Sequence, residues 1–322
     1  MSLYLITGMA GFIGSSIARA LLGRGERVRG IDNFATGNRQ NVAEILDRID
    51  FREADILDLE AMHKACAGVD FVLHEAAIPS VPKSVLDPLG SNRANIDGTV
   101  NVLVAARDAQ VKRVVYAASS SAYGDTPTLP KDEQIKPDPI SPYAVAKLAS
   151  EHYMTSFYRC YGLETVCLRY FNIFGPRQDP SSPYSGVLAK FITQMLGGEQ
   201  PTIFGDGEQS RDFTYIDNAV EANLLACKAP KSAAGEVFNI ATGRRVNLNE
   251  TVRLLQSLTN YSGSVKYDPE RGGDVKHSLA DISKAESGLG YKPLVHFEEG
   301  LRRTVEWYRA SVVGLKPSPV KA

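Results

Sequence analysis

Leu3-Tyr-Leu-Ile-Thr7 is a short apolar strand that runs directly into Gly8-Met-Ala-Gly11-Phe-Ile-Gly14. An amphipathic helical pattern follows, with Ile13, Ile17, Ala18, Leu21 and Leu22 on one stripe and Gly23-Arg-Gly25 at its end. A strand, a glycine turn and a helix in that order constrain the chain more than any other feature. The turn needs a residue that tolerates unusual φ, a backbone free to approach a ligand, and close packing of helix on sheet. The helix start then presents free N–H groups and a partial positive charge to a phosphate.

The pattern repeats as an alternation of strands and helices. Val28–Asp32, Phe51–Asp55, Asp70–His74, Arg113–Ala118 and Leu163–Arg169 read as further strands, with helices over Asn95–Ala109 and Tyr143–Tyr161 among those between them. Six such strands predict an α/β protein with a doubly wound parallel sheet of the NAD(P)-binding Rossmann type. Beyond Asn172 loops rich in glycine, proline and serine set in, which predicts a smaller α/β substrate domain. The expected division is 1–171 plus about 212–240 for the cofactor domain and 172–211 plus 241–315 for the substrate domain, with 316–322 a disordered tail.

Composition narrows the function classes. At 322 residues, with 43% hydrophobic and 23% charged residues and a net charge of -1, the chain has core enough for one large or two smaller domains and no general field for polyanions. No nucleic acid partner is therefore expected, and no apolar run reaches the length of a membrane span. Cys66, Cys160, Cys167 and Cys227 show no C-x-x-C spacing, which predicts reduced thiols and a cytoplasmic protein. The five histidines are scattered, and no metal site is expected.

Asp32, 18 residues after Gly14, stands where an acid accepts both ribose hydroxyls of an adenosine and repels a 2′-phosphate, which favours NAD over NADP. Asp55 is a candidate for the adenine amino group. Tyr143 and Lys147 are four residues apart on one helix face, where an ammonium stabilises phenolate and lowers a phenol from its ordinary value of about 10. Ser119-Ser-Ser-Ala-Tyr123 ends the fifth strand on the side where ligands bind in such sheets, and Ser119 offers a hydroxyl to the same reacting group.

Gly8-x-x-Gly11-x-x-Gly14, the Ser119 turn and Tyr143-x-x-x-Lys147 together resemble the extended short-chain dehydrogenase/reductase superfamily. Arg169–Gln178, Gly205–Phe213 and Arg271–Asp274 carry the resemblance to the UDP-hexose 4-epimerases, and Glu208–Phe213 with Gly273–Ser283 to their UDP-N-acetylhexosamine branch. The resemblance implies Ser119, Tyr143 and Lys147 as catalytic residues. It extends the NAD site to Phe12, Ile13, Asn33, Ile56, Ala76, Ala77 and Tyr170, with Phe171 beside it on the nicotinamide wall. For the nucleotide sugar it implies Ser80, Ser120, Asn172, Gln178, Gly186, Val187, Thr202, Phe204, Arg211, Phe213, Val246, Arg271, Asp274 and Ser278.

The implied reaction is C4 epimerisation of a UDP-hexose through a 4-keto sugar, with Tyr143 as base, in a homodimer joined by the helices Asn95–Ala109 and Tyr143–Tyr161. A 4,6-dehydratase carries Asp-Glu where this chain has Ser120-Ser121, and Asp179 opposes the carboxylate of a uronate. Dehydratase, decarboxylase and a non-catalytic NAD-binding regulator stay as alternatives. Pro79 replaces the lysine that many UDP-glucose epimerases place after the fourth strand, leaving Ser80 for that contact.

Overall fold

A computed structural model describes residues 1–180, 186–270 and 276–312. Seven parallel strands form the central sheet: β1 (Leu3–Thr7), β2 (Arg27–Asp32), β3 (Asp50–Glu53), β4 (Phe71–His74), β5 (Arg113–Ser119), β6 (Glu164–Tyr170) and β7 (Glu236–Ile240). Their spatial order is β3-β2-β1-β4-β5-β6-β7, the order of a Rossmann-type doubly wound sheet. The chain reverses direction of growth between β1 and β4, which opens a crevice beyond their carboxyl ends.

Strand alternation divides the core into two layers. Leu5, Val72, Val114 and Cys167 face the helices Leu59–Cys66, Gly98–Asp108 and Pro142–Tyr161 through Met62, Leu103 and Met154. Ile6, Leu73, Val115 and Leu168 face the other side, where Ile17 and Leu21 of helix Phe12–Gly23 meet Ala219 and Val220 of helix Ile216–Lys228. Both faces are covered, as a wholly parallel sheet requires.

Three expectations need correction. β7 is a seventh strand that the pattern of six does not include, because Glu236 and Asn239 break its apolar run. Asn239 is nevertheless buried, its amide donating to the carbonyls of Lys131 (2.9 Å) and Asp281 (3.2 Å) while its oxygen accepts from the Tyr123 hydroxyl (2.8 Å). The third strand stops at Glu53, since Asp55 accepts the N–H of Leu57 at 2.8 Å and turns the chain out of the ladder. The helix expected from Asn95 is a longer helical run beginning at Pro88, with a wide π-type turn over Arg93–Asp97. There the Asn95 carbonyl accepts from the hydroxyls of Thr99 (2.6 Å) and Ser150 (2.9 Å), and its side chain takes the N–H of Ile78 (2.9 Å). One residue thus fastens the loop after β4 to the helix of Tyr143.

After β6 the chain builds small paired strands: Ile173–Phe174 with Thr214–Tyr215, Ser210–Arg211 with Val246–Asn247, and Thr202–Phe204 with Lys266–Asp268. Asp212 is fully buried and joins them, its carboxylate accepting from the N–H groups of Thr242 (2.9 Å), Gly243 (3.0 Å) and Ala280 (3.3 Å) and from the Thr242 hydroxyl (2.7 Å). No helix among the described residues is long and apolar enough to cross a membrane. The tail 316–322 lies outside the described residues.

Candidate active site

A cleft of about 1310 Å³ runs along the carboxyl ends of the strands. At one end Gly8 has φ +68°, and a Cβ there would lie 2.7 Å from the backbone of Ala76. A Cβ on Gly14 would come within 2.4 Å of the Gly8 carbonyl. Only glycine lets β1 turn this tightly while the first helix packs against the turn. Asp32 is 7% exposed, and its two oxygens accept from Ala10 N (2.8 Å) and Phe34 N (2.7 Å). Burial pushes its carboxyl up while those two N–H groups hold it down. Each oxygen keeps a lone pair for a further donor.

The middle of the cleft holds Ser119, Tyr143 and Lys147. Ser141 caps the helix Pro142–Tyr161 by accepting Ala144 N at 3.2 Å, with Pro142 in the first turn, so Tyr143 emerges at the helix start. The Ser84 hydroxyl accepts Tyr143 N at 3.1 Å. Ser119 ends β5, and its hydroxyl accepts from Ser121 Oγ at 2.8 Å and favours the ionised form of the Tyr143 phenol. Lys147 is 3% exposed and donates to the Ala117 carbonyl at 2.7 Å, over the Tyr116 ring at 4.7 Å.

The phenol departs from expectation. Burial pushes Tyr143 up to about 12, opposed by the Ser119 hydroxyl. One turn along the same helix, the Lys147 ammonium meets the Ala117 carbonyl and the Tyr116 face.

The Epimerase family model, described as the NAD dependent epimerase/dehydratase family, matches residues 4–241. The chain belongs to this family. Among solved structures it is similar to the UDP-glucose 4-epimerase of Thermotoga maritima with UDP-glucose (40% identity, TM-score 0.91, covering 96% of this chain and 99% of that one). The UDP-N-acetylglucosamine 4-epimerase of Methanobrevibacter ruminantium, in complex with UDP-N-acetylmuramic acid, shares 40% identity at a TM-score of 0.92, with the same coverage. The Thermus thermophilus UDP-glucose 4-epimerase complex with NAD shares 35%, covering 96% of this chain and all of that one, at a TM-score of 0.87. Nucleotide-sugar dehydratases and decarboxylases also match, at 31–34% identity.

The family cofactor is NAD, and the residues present fit it. The glycine turn leaves a backbone cradle that any Cβ would fill, and Asp32 has lone pairs free for ribose hydroxyls. Phe12, Ile13, Asn33, Ile56, Ala76 and Ala77 line the same end of the cleft. Asp55 lines it too, with one carboxylate oxygen taking Asn33 Nδ2 at 2.8 Å. Tyr170 and Phe171 border the centre. The Tyr170 hydroxyl donates to Glu75 at 3.0 Å, while Phe171 turns toward Tyr123, with centroids 6.1 Å apart.

Toward the far end the cleft is walled by Ser80, Ser120, Asn172, Gln178, Arg211 and Ser278. The Ser80 hydroxyl caps the helix Val81–Leu86, accepting Lys83 N at 3.1 Å. Asn172 has φ 41°, and its amide donates to Asp212 O (3.1 Å) and approaches Ser278 Oγ (3.5 Å). A Cβ on Gly186 would meet Gln178 Nε2 at 3.3 Å, so those two positions adjoin.

Val187 begins the helix Val187–Leu196, Thr202 and Phe204 bound their short strand, and Val246 pairs with Arg211; none of the four walls the main cleft. Phe213 requires correction. It is 4% exposed, stacked on Phe297 (5.2 Å) and edge-on to Phe174 (6.2 Å), because burying an aromatic ring there is worth about 2–3 kcal/mol. It therefore supports the wall rather than forming it. Arg271 and Asp274 lie outside the described residues. Lys131 and Glu75 line the cleft and were missed by sequence reasoning, although a carboxylate just past the end of β4 is a signal that the crevice rule picks out. No cluster of three or more metal-ligating groups occurs among the described residues.

Proposed function

We propose that this protein is an NAD-dependent UDP-hexose 4-epimerase with Tyr143 as its proton-transfer group. The reading is supported by one observation: the Tyr143 phenol, the Ser119 hydroxyl and Lys147 line the same cleft as the glycine turn. Bound NAD supplies a hydride acceptor that is regenerated in each cycle. Ser119 orients the sugar 4-hydroxyl, and Tyr143 accepts its proton and returns it to the C4 oxygen after the 4-keto sugar has turned its other face to the hydride carrier. Asn172 and Arg211 hold the diphosphate, and its link to the sugar is the axis about which the ketone turns over.

Ser120 and Ser121 carry no proton across a sugar ring as an acid pair would, which disfavours 4,6-elimination, and Asp179 on the cleft wall disfavours a uronate. Retention of both Tyr143 and Lys147 disfavours a non-catalytic regulator. Purified protein incubated with UDP-GlcNAc and with UDP-Glc, without added NAD, is followed by proton NMR. Inversion at C4 alone is expected; release of water or carbon dioxide would sink the assignment.

The N-acetylated sugars are accepted alongside, or in preference to, UDP-Glc and UDP-Gal in this reading, because Ser278 and Gly186 are small and Gln178 offers an amide beside Gly186. Ser278→Tyr is expected to lower kcat/KM for UDP-GlcNAc at least about tenfold relative to UDP-Glc, as a pocket filled by a ring rejects the added group. Refusal of UDP-GlcNAc by the wild type defeats this gate. A cytoplasmic homodimer completes the proposal. Val145, Tyr153 and Tyr161 are exposed on the helix Pro142–Tyr161, one of the two helices through which the family resemblance implies pairing with a second copy. Light scattering at twice the mass of the 35.0 kDa chain is expected, and a monomer mass excludes it.

A further inference from the structure

Glu75 follows the last residue of β4, where His74 pairs with Tyr116, and so stands level with Ala117 on β5. The Ala117 carbonyl is the acceptor of the Lys147 ammonium. Across the small Ala117 side chain, the Glu75 carboxylate accepts the Tyr170 hydroxyl at 3.0 Å, and the Tyr170 oxygen in turn accepts from Asn223 Nδ2 at 2.6 Å. Asn223 is itself fixed, donating to Ala219 O at 2.8 Å. An acid is thus clamped by three elements into the cleft that contains Tyr143 and Lys147, and nothing in the reaction above uses it.

We propose that Glu75 is a positioning residue of the reaction centre: its carboxylate, fixed by the Tyr170 hydroxyl and level with the residue whose carbonyl holds Lys147, is the counter-charge of the Lys147 ammonium. The inference rests on the proposed reaction only for its kinetic readout. Glu75 is faced by Tyr170 from β6 and by Lys147 from the helix Pro142–Tyr161, while the helix Ile216–Lys228 contributes the neutral Asn223. Lys147 is faced by Glu75, by Glu151 one turn along its own helix, by the Cys167 thiol of β6 and by the Tyr116 ring; buried His74 is held neutral nearby.

Burial raises the Glu75 carboxyl to about 7, against lowering by Tyr170 and Lys147. Burial also brings the Lys147 ammonium down to about 8, and Glu75 is the largest of the groups that oppose this.

Glu75→Gln keeps an acceptor for Tyr170 and removes only the charge. Lys147 then deprotonates at lower pH, so the alkaline limb of the kcat/KM profile is expected to move down by about one pH unit, roughly tenfold in rate on the falling limb. Calorimetric NAD affinity against pH provides a second readout, because Lys147 lines the cofactor cleft, and its alkaline weakening is expected to begin about one unit earlier. Tyr170→Phe leaves the acid in place but removes the hydrogen bond that lowers it, so a smaller shift in the same direction is expected and serves if Glu75→Gln does not fold.

A purely structural anchor would change amplitude and melting temperature but leave both pH profiles in place. Profiles of the variants that superimpose on the wild type overturn the proposal. A wrong assignment of the sugar reaction would silence the kinetic profile alone and leave the NAD-binding shift to be read.

Discussion

Tyr143→Phe is expected to cost roughly 10²–10⁴ in kcat while leaving UDP-sugar affinity within about threefold of the wild type. The phenylalanine ring keeps the packing at the helix start and removes only the oxygen that meets Ser119. That oxygen is the group proposed to take the proton of the sugar hydroxyl, so its loss falls on the chemical step and not on ground-state binding. In free-energy terms the loss is roughly 3–5 kcal/mol of barrier. The measurement is steady-state epimerisation beside calorimetric binding of the nucleotide sugar. A kcat within tenfold of wild type would remove Tyr143 from the role of base and pass it to another group in the cleft. Because burial holds the phenol up at about 12, the wild-type rate is also expected to depend on ligand charge entering the cleft.

Glu151→Ala is expected to destabilise the fold by about 3–5 kcal/mol, lowering the melting temperature on the order of 10 °C. Glu151 and Arg169 are 3% and 5% exposed in their side chains, and the guanidinium donates to the carboxylate at 2.7 Å and 3.0 Å. Truncating the acid leaves an uncompensated buried cation, and that penalty dominates. The Arg169 guanidinium also lies 4.6 Å over the Tyr123 ring, whose hydroxyl reaches Asn239 of β7. The pair therefore ties the helix that presents Tyr143 to β6, to the turn after Ser119 and to the last strand of the sheet. Replacing both partners, Glu151→Leu with Arg169→Met, is expected to recover most of the lost stability, since two apolar groups leave no stranded charge. Thermal melts of the two variants decide the matter. A Glu151→Ala melt within a degree or two of wild type would show that the pair clamps nothing.

The legible and illegible parts of the molecule differ in range of interaction. Gly8, Gly11 and Gly14 were readable because a turn and a helix start are local, built from residues within one short stretch. The i, i+4 spacing of Tyr143 and Lys147 was readable for the same reason. Glu75 was not: its use depends on Tyr170, Asn223 and Lys147, which lie on three other elements and meet only when β4, β5 and β6 are side by side. β7 was hidden by Asn239, a polar residue whose burial is tolerated because Lys131, Asp281 and Tyr123 satisfy it from afar. Phe213 matched a motif yet faces the aromatic cluster, a matter of which side of a short strand is turned to the core.

The sequence by itself determined the sheet class, the glycine turn for NAD, the acid at 32 and the Ser119, Tyr143 and Lys147 set, since each is written in local spacing. Tertiary structure alone decided where charge goes among them. It turned the Lys147 ammonium to the Ala117 carbonyl, set the Ser119 hydroxyl against the pull of burial on Tyr143, and placed Glu75 in the same cleft as Lys147. Desolvation and Coulomb energy depend on every neighbour within several ångströms, and those neighbours come from strands far apart in the chain.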